Sequence, residues 1–242
     1  MTKPKKTHRE VKNPTISSRY LADFMAASQQ RKRTIIRDCK YRSIARMMQH
    51  KHARERISRF ISSPELNLAW LQEQADDLRE AIADDDFDRS VLDNNADYID
   101  RFIKMQPNLI LPDADYKWSP ENEFTQINGV KINTDILFKA QRVTKTNKVR
   151  VGAGTIRYAK GKPLGAEVAE WQSAFMFGLC KDGASDGGAT AEEKLCLTVC
   201  AQSGIAHPAP SDSTKRFNNM KAACATIAER WPNIQPPPNA VL

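Results

Sequence analysis

The sequence predicts an α+β fold, with a helical N-terminal lobe followed by a small α/β lobe. Between residues 15 and 106 the apolar residues recur at intervals of three and four, which is the spacing of one helix face. Beyond Pro112, short stretches rich in β-branched residues are separated by turn residues, which is typical of strands. A helix predicted over residues 166–179 interrupts these strands, so we expect one mixed sheet of about three to five strands.

The chain of 242 residues is long enough for one large domain or two small ones. We predict a basic disordered arm at residues 1–14, a helical domain at 15–106, an α/β domain at 113–234 and a proline-rich tail at 235–242. Residues 15–18 supply hydroxyl groups that can cap a first helix, and Ser63 followed by Pro64 predicts the start of a later helix.

Charge is distributed unevenly along the chain. Residues 1–60, the basic segment, hold 17 lysines and arginines against 4 aspartates and glutamates. Residues 61–115, the acidic segment, hold 4 against 14, and the whole chain has a net charge of +8. A segment this basic indicates a negatively charged partner, and nucleic acid carries a high density of negative charge. We therefore predict that the basic segment contacts nucleic acid.

The predicted contacts lie on the short helices of the basic segment, where lysines and arginines would neutralise phosphates and release counterions. These contact residues are Arg31, Lys32, Arg33, Arg37, Lys40, Arg42, Arg46, Lys51 and Arg54. An alternative interpretation is that the basic charges pair with the acidic segment inside the protein, or with a protein partner. The nearly matched opposite charges of the two segments keep this alternative open.

The elements predicted for residues 126–202 follow the order strand, strand, strand, helix, strand, which resembles the core of the PD-(D/E)XK nucleases. In that family a strand-end aspartate, together with an acidic residue and a lysine on the next strand, holds a divalent metal ion and a water. The resemblance places Asp135 at the position of the aspartate and Arg157 at that of the lysine. It places Thr155 where the second carboxylate should be, so the metal site is incomplete.

Residues near this broken motif can be fitted to the missing roles. Glu170 or Glu167, on the following helix, could supply the second carboxylate, and Lys160 could act in place of Arg157. For an active nuclease, the resemblance thus implies Asp135, Arg157, Lys160 and Glu170 as catalytic residues, with Mg²⁺ as the cofactor. For a binding protein we expect no cofactor.

Several other classes of protein are not indicated. The longest apolar stretch, residues 174–179, is far shorter than the ~18 residues of a membrane helix, and no apolar segment follows the charged N-terminus. Cys196 and Cys200 are four residues apart, but no second Cys/His pair has the spacing of a zinc site. We therefore expect a cytoplasmic protein with reduced cysteines, no metal site and no membrane partner.

The sequence thus predicts a nucleic-acid-binding protein for DNA or RNA, acting as a non-catalytic subunit of a larger nucleoprotein complex. An anti-phage or mobile-element system would suit this architecture. Two alternatives remain, namely a metal-dependent nuclease of the PD-(D/E)XK type and an adaptor or structural subunit that docks on other proteins through its opposite charge blocks.

Overall fold

The computed structural model describes residues 6–45, 49–158, 161–183 and 188–242 of the chain. The helices of this part are α1 (Ser18–Met25), α2 (Gln29–Lys40), α3 (Lys51–Ser62), α4 (Leu68–Glu80), α5 (Asp86–Met105), α6 (Ala166–Gly183) and α7 (Ser213–Arg230). The strands are β1 (His8–Glu10), β2 (Thr15–Ser17), β3 (Tyr41–Ser43), β4 (Asp115–Ile127), β5 (Val130–Val143), β6 (Val149–Arg157), β7 (Thr190–Ala191), β8 (Leu197–Cys200) and β9 (Ile205–Pro208).

Side-chain caps fix the starts of several helices. The Ser17 hydroxyl accepts a hydrogen bond from the backbone N–H of Tyr20, so a residue in the predicted hydroxyl cluster caps α1. The start predicted at Ser63 is wrong by several residues, because α4 begins at Leu68. Its cap is Asn67, whose side-chain oxygen accepts from the N–H of Trp70.

β5 organises the main sheet. β4 runs antiparallel to it along one edge. On the other edge, β2 pairs parallel with residues 131–133 of β5, and β6 pairs antiparallel with residues 138–143. β6 continues beyond this pairing and runs parallel to β8, which pairs with β9. The two partners of β5 therefore separate around residues 134–137, and we call this point the strand fork.

Helices cover both sides of this sheet. Alternate residues of a strand point to opposite faces, and along β8 Leu197 and Val199 belong to an apolar cluster with residues of α3, α4 and α5. Between them, Thr198 accepts a hydrogen bond from Ser173 of α6 on the other face. On that α6 face a further cluster joins α1, α2, α6 and α7 to β2 and β5, with Trp231 buried among them. None of the described helices is long and apolar enough to cross a membrane.

The observed architecture is an α+β fold with a mixed sheet, as the sequence predicts. The sheet differs in size, because its described part contains seven strands rather than about three to five. The additional strands β2, β7 and β9 are two to four residues long, too short to give an alternating pattern.

The N-terminal arm, the C-terminal tail and the two predicted domains make contacts with one another that the sequence did not predict. Residues 8–10, expected in a disordered arm, form β1 and pair with β3. In the proline-rich tail, the Val241 carbonyl accepts hydrogen bonds from the N–H groups of Thr7 and His8. Helices α1 and α2 share their core with α6 and α7, so the boundary expected near residue 112 does not divide this core.

Candidate functional site

A polar cavity of about 350 Å³ opens at the strand fork, and we call it the fork cavity. Its walls are the first residues of α1, the first residues of α3, the fork region of β5 and the C-terminal end of β6. Gln172 of α6 completes the lining. The cavity exists because β2 ends at Ser17 while β6 diverges from β5 beyond Gly154, which leaves space between the two strands.

Positive charge dominates the fork cavity. Four cations line it, namely Arg19 from α1, Lys51 and Arg54 from α3, and Arg157 from β6. Asp135 of β5 is the one carboxylate among the described lining residues. The cavity therefore carries an excess of positive charge, and a partly enclosed site with this excess attracts anions.

Arg157 lies at the base of the cavity and is only 8 % exposed. Its Nη2 atom donates to both carboxylate oxygens of Asp23 in α1, at 2.9 and 3.0 Å, and its Nη1 atom donates to Gln172 at 3.1 Å. Burial lowers the pKa of Arg157, and the negative charge of Asp23 opposes this shift. The pairing thus holds a charged guanidinium in one orientation at the bottom of the site.

Asp135 is held by a cation from the opposite wall. The Nη1 atom of Arg54 is 3.0 Å from the Oδ2 atom of Asp135, and both side chains are partly exposed. The contact joins α3 to β5 across the cavity. Much of the negative charge in the cavity is therefore already neutralised by a side chain of the protein.

Two helices begin at the fork cavity, and the first-turn N–H groups of a helix have no partner within the helix. Ser17 and Ser18 at the start of α1 line the cavity, as do His50 and Lys51 at the start of α3. The start of α3 is fixed by Asn95 of α5, which is fully buried and accepts from the N–H of Ala53 at 2.9 Å. Both helix dipoles present their positive ends to the site.

Aromatic rings form part of the wall. Tyr158, just after β6, stacks on Tyr98 of α5 with a centroid distance of 3.8 Å, and His50 meets both rings edge-on. Tyr98 is completely buried, and this burial raises its pKa well above the ordinary value. Tyr20 lies at the other side of the cavity and is 44 % exposed.

The predicted nucleic-acid contacts are distributed over several surfaces. Lys51 and Arg54 line the fork cavity. Arg31 and Arg33 are exposed on α2, Lys32 lies over the ring of Phe24, and Arg42 is exposed in β3. Arg33 and Arg37 line an open groove between α2 and the end of α7, beside Arg230. Arg46 lies outside the described residues.

Lys40 was predicted to contact phosphate, and the structure corrects this. Lys40 is only 5 % exposed, and its ammonium group donates to the carbonyl oxygens of Trp231, Pro232 and Ile234 at 2.9 to 3.2 Å. The carboxylate of Glu10 is 3.6 Å away. The side chain is enclosed because the residues after α7 fold over the end of α2, so Lys40 has a structural role.

The nuclease-type residues are only partly brought together. Asp135 and Arg157 line the same cavity. Glu170 instead forms an ion pair with Arg216 of α7 at 3.1 Å and is not among the described lining residues. Lys160 lies outside the described residues. The described cavity thus offers one carboxylate, already paired with Arg54, and this set does not fit a Mg²⁺ site with several carboxylates.

Several lining residues were not predicted from the sequence. Arg19 and Gln172 are such residues, and Asp23, which holds Arg157 in place, was not predicted either. Only Arg19 had a usable signal, because it directly follows the hydroxyl cluster that predicts a helix start. The role of Asp23 depends on Arg157, more than a hundred residues away in the chain. Neither Asp23 nor Gln172 forms a motif with its sequence neighbours.

Among the described residues, no group of three or more histidine, cysteine, aspartate and glutamate side chains is placed to hold a metal ion. A scan against protein-family models finds no match, and a search of curated protein sequences finds no significant match. The geometry of the fork cavity is therefore the basis for a functional assignment.

Proposed function

We propose that the protein binds nucleic acid, DNA or RNA, and that the fork cavity receives phosphate. The observation that carries this proposal is the charge of the cavity: four cations line it, Asp135 pairs with Arg54 and Asp23 with Arg157, and the charges of Arg19 and Lys51 remain in excess. Lysine and arginine side chains that neutralise phosphates supply most of the affinity in nucleic-acid binding. The two helix N-termini at the cavity add backbone donors of the kind that bind phosphate.

The exposed basic residues of α2 supply a second, more open surface for the phosphate backbone. In this proposal the protein is a non-catalytic subunit of a nucleoprotein complex, in an anti-phage or mobile-element system. The proposed location is the cytoplasm, where the five cysteines of the chain would stay reduced.

Fluorescence anisotropy tests the proposal directly. Labelled duplex DNA, single-stranded DNA and RNA are titrated with the protein at several salt concentrations. Replacing both Arg19 and Lys51 by alanine should weaken binding and lower the slope of log affinity against log salt by about 2, since each removed phosphate contact lowers it by about 1.

Lys145→Ala is the matched control, because Lys145 is exposed in the turn between β5 and β6, at the far end of these strands from the fork. This variant should bind like the wild type. If the double variant keeps the wild-type affinity and salt slope, the fork cavity is not the phosphate site. If the wild type binds none of the three nucleic acids at low salt, the binding function itself is wrong. Salt-sensitive self-association in that case would favour the adaptor alternative.

A metal-dependent nuclease is the second candidate: Asp135 and Arg157 lie in one cavity where β5 and β6 diverge, although the second carboxylate that its metal site would need is not among the described lining residues. It predicts cleavage of labelled DNA or RNA that requires Mg²⁺ or Mn²⁺. Cleavage should disappear in Asp135→Asn and persist in Lys145→Ala. Intact substrate after long incubation with either metal would exclude this candidate.

A further inference from the structure

We propose that the fork cavity binds the phosphomonoester at the end of a single nucleic-acid strand. This inference rests on the proposed function and specifies its ligand. The competing possibility within nucleic-acid binding is that the cavity contacts only phosphodiesters inside a strand or duplex.

The size and depth of the cavity favour a strand end. Its volume of about 350 Å³ is near the lower end of the range for small-molecule sites, so it can admit a nucleotide but not a duplex. Arg157, Thr155 and Gln172 at its base are all less than 9 % exposed. The backbone of a duplex can reach only the exposed cations Arg19 and Lys51, whereas a terminal phosphate can reach Arg157.

Charge favours a monoester over a diester. A phosphomonoester carries about −1.5 to −2 charges near neutral pH because its second pKa is about 6. A phosphodiester inside a strand carries one. Asp135 is paired with Arg54 and Asp23 with Arg157, so the charges of Arg19 and Lys51 remain for the ligand, and two such charges suit the more highly charged group.

Arg157 keeps donors available for such a ligand. A guanidinium has five N–H groups, and the hydrogen bonds to Asp23 and Gln172 account for three of them. The buried ion pair also fixes the orientation of the side chain, so binding requires little further ordering. Residues at the starts of α1 and α3 also line the cavity, and the first-turn N–H groups that are not bonded to Ser17 or Asn95 are further donors for a phosphate there.

The rim of the cavity offers a surface for the terminal base. Tyr20 follows Arg19 in the first turn of α1 and is 44 % exposed, although it lines the cavity. Stacking of a base on an exposed aromatic ring is a common feature of single-strand binding and tolerates any base. A terminal base can stack only where it is unpaired, so this contact also favours a single strand.

The test compares the ends of one labelled oligonucleotide sequence on the wild-type protein. The five forms carry a 5′-phosphate, a 3′-phosphate, a 5′-methylphosphate, a 3′-methylphosphate or hydroxyl groups at both ends. We expect one of the two phosphorylated forms to bind at least tenfold more tightly than the hydroxyl form. Methylation converts the monoester at that end to a diester, and it should remove this preference. Equal affinity of all five forms, with binding retained, would overturn the inference and leave the proposed function standing.

Two variants separate the base of the cavity from its rim. Arg157→Gln should abolish the preference for a phosphorylated end, whereas Arg19→Ala should weaken binding of all forms by a similar factor. Thermal unfolding checks that Arg157→Gln is folded, and if it is not, the methylphosphate comparison on the wild type decides the question. A preference that survives in folded Arg157→Gln would contradict the inference.

A competition experiment separates a strand end from a free nucleotide, which carries the same phosphate. Adenosine 5′-monophosphate and inorganic phosphate are titrated against the labelled phosphorylated oligonucleotide. Displacement by the nucleotide only at concentrations at least tenfold above those of the unlabelled oligonucleotide would support strand-end binding. Equally effective displacement would identify a nucleotide-binding site and overturn the inference. Failure of every oligonucleotide to bind would refute the proposed function as well.

Discussion

The most constrained charged residue of the fork cavity is Arg157. Its guanidinium is almost completely buried, and a buried charge is tolerated only where a partner compensates for its lost hydration. Asp23 provides that partner from α1, so one contact stabilises the fold and orients a cation in the site. The sequence indicates Arg157 only through a resemblance to nucleases, and it gives no sign that Asp23 is the partner.

Replacing Asp23 by asparagine should destabilise the protein. The substitution keeps the size of the side chain but leaves the buried guanidinium without a counter-charge, and we expect a loss of about 2 kcal/mol in the free energy of unfolding. Asp93→Asn is the control, because Asp93 pairs with Arg89 on the surface of α5 and should change stability by less than about 0.5 kcal/mol. Urea unfolding of both variants measures the difference. Equal losses in the free energy of unfolding would show that the Asp23–Arg157 pair stabilises the protein no more than the surface pair does.

Lys40 shows the limit of charge patterns in a sequence. It lies in the densest run of cations, and the pattern predicts a phosphate contact. Its partners are carbonyl groups of residues 231–234, which no local pattern connects to α2. The exposed neighbours Arg31 and Arg33 carry the same signal, so the sequence does not distinguish a structural lysine from a surface cation.

Lys40→Met should therefore affect stability and leave nucleic-acid binding unchanged. Loss of the ammonium group leaves several carbonyl oxygens without their donor, and we expect a destabilisation of about 2 to 3 kcal/mol. Thermal unfolding measures this loss, and anisotropy below the unfolding temperature measures affinity. If Lys40→Met has wild-type stability but binds nucleic acid more weakly, Lys40 is a phosphate contact after all.

At the scale of elements, length decides what the sequence predicts. Helices α5, α6 and α7 each extend over 18 residues or more, and their apolar faces are evident from periodicity. β1, β2 and β3 have three residues each and show no pattern, although β2 ends at the cavity. The fork arises where β2 and β6 share one edge of β5, and such long-range pairing is not encoded in any single segment.

Gly154 marks the position where β6 leaves β5. It is the last residue of β6 paired with β5, opposite Phe138, and the Phe138 ring occupies the space that a side chain at 154 would need. Phe138 is completely buried. The close approach of this ring to the backbone therefore depends on glycine, and the side chain helps to set the geometry of the fork.

Gly154→Ala should displace the Phe138 ring and destabilise the protein by about 1 to 3 kcal/mol, as overpacking of a core usually does. Gly165→Ala is the matched control, because a methyl group there meets no atom within 4 Å, and its effect should stay within about 1 kcal/mol. Urea unfolding compares the two variants. We also expect Gly154→Ala to weaken nucleic-acid binding, since the fork cavity lies directly beside this position. Unchanged stability would mean that Phe138 can move at little cost.

At the scale of the whole molecule, the basic and acidic segments do not form one separate lobe. α1 and α2 cover the sheet on the α6 side, whereas α3, α4 and α5 cover the opposite side. Part of the acidic charge is neutralised within its own segment, where Arg79 pairs with Asp76, Asp97 and Asp100. The composition of each segment predicts its helices and its charge, but the shared sheet follows only from contacts between distant parts of the chain.

This arrangement predicts a single cooperative unfolding transition for the described fold. Both helical layers pack on β5 and β8, so loss of either layer exposes apolar residues on one face of strands that also support the other layer. Trp231 reports on the core at the α6 side and Trp70 on the core of the opposite side. Variants that keep only one of the four tryptophans of the chain, either Trp231 or Trp70, should show fluorescence transitions in urea that coincide with each other and with the loss of helical circular dichroism. Two separate transitions would instead indicate that the chain divides into independent domains near residue 112, where the sequence pattern changes from that of helices to that of strands.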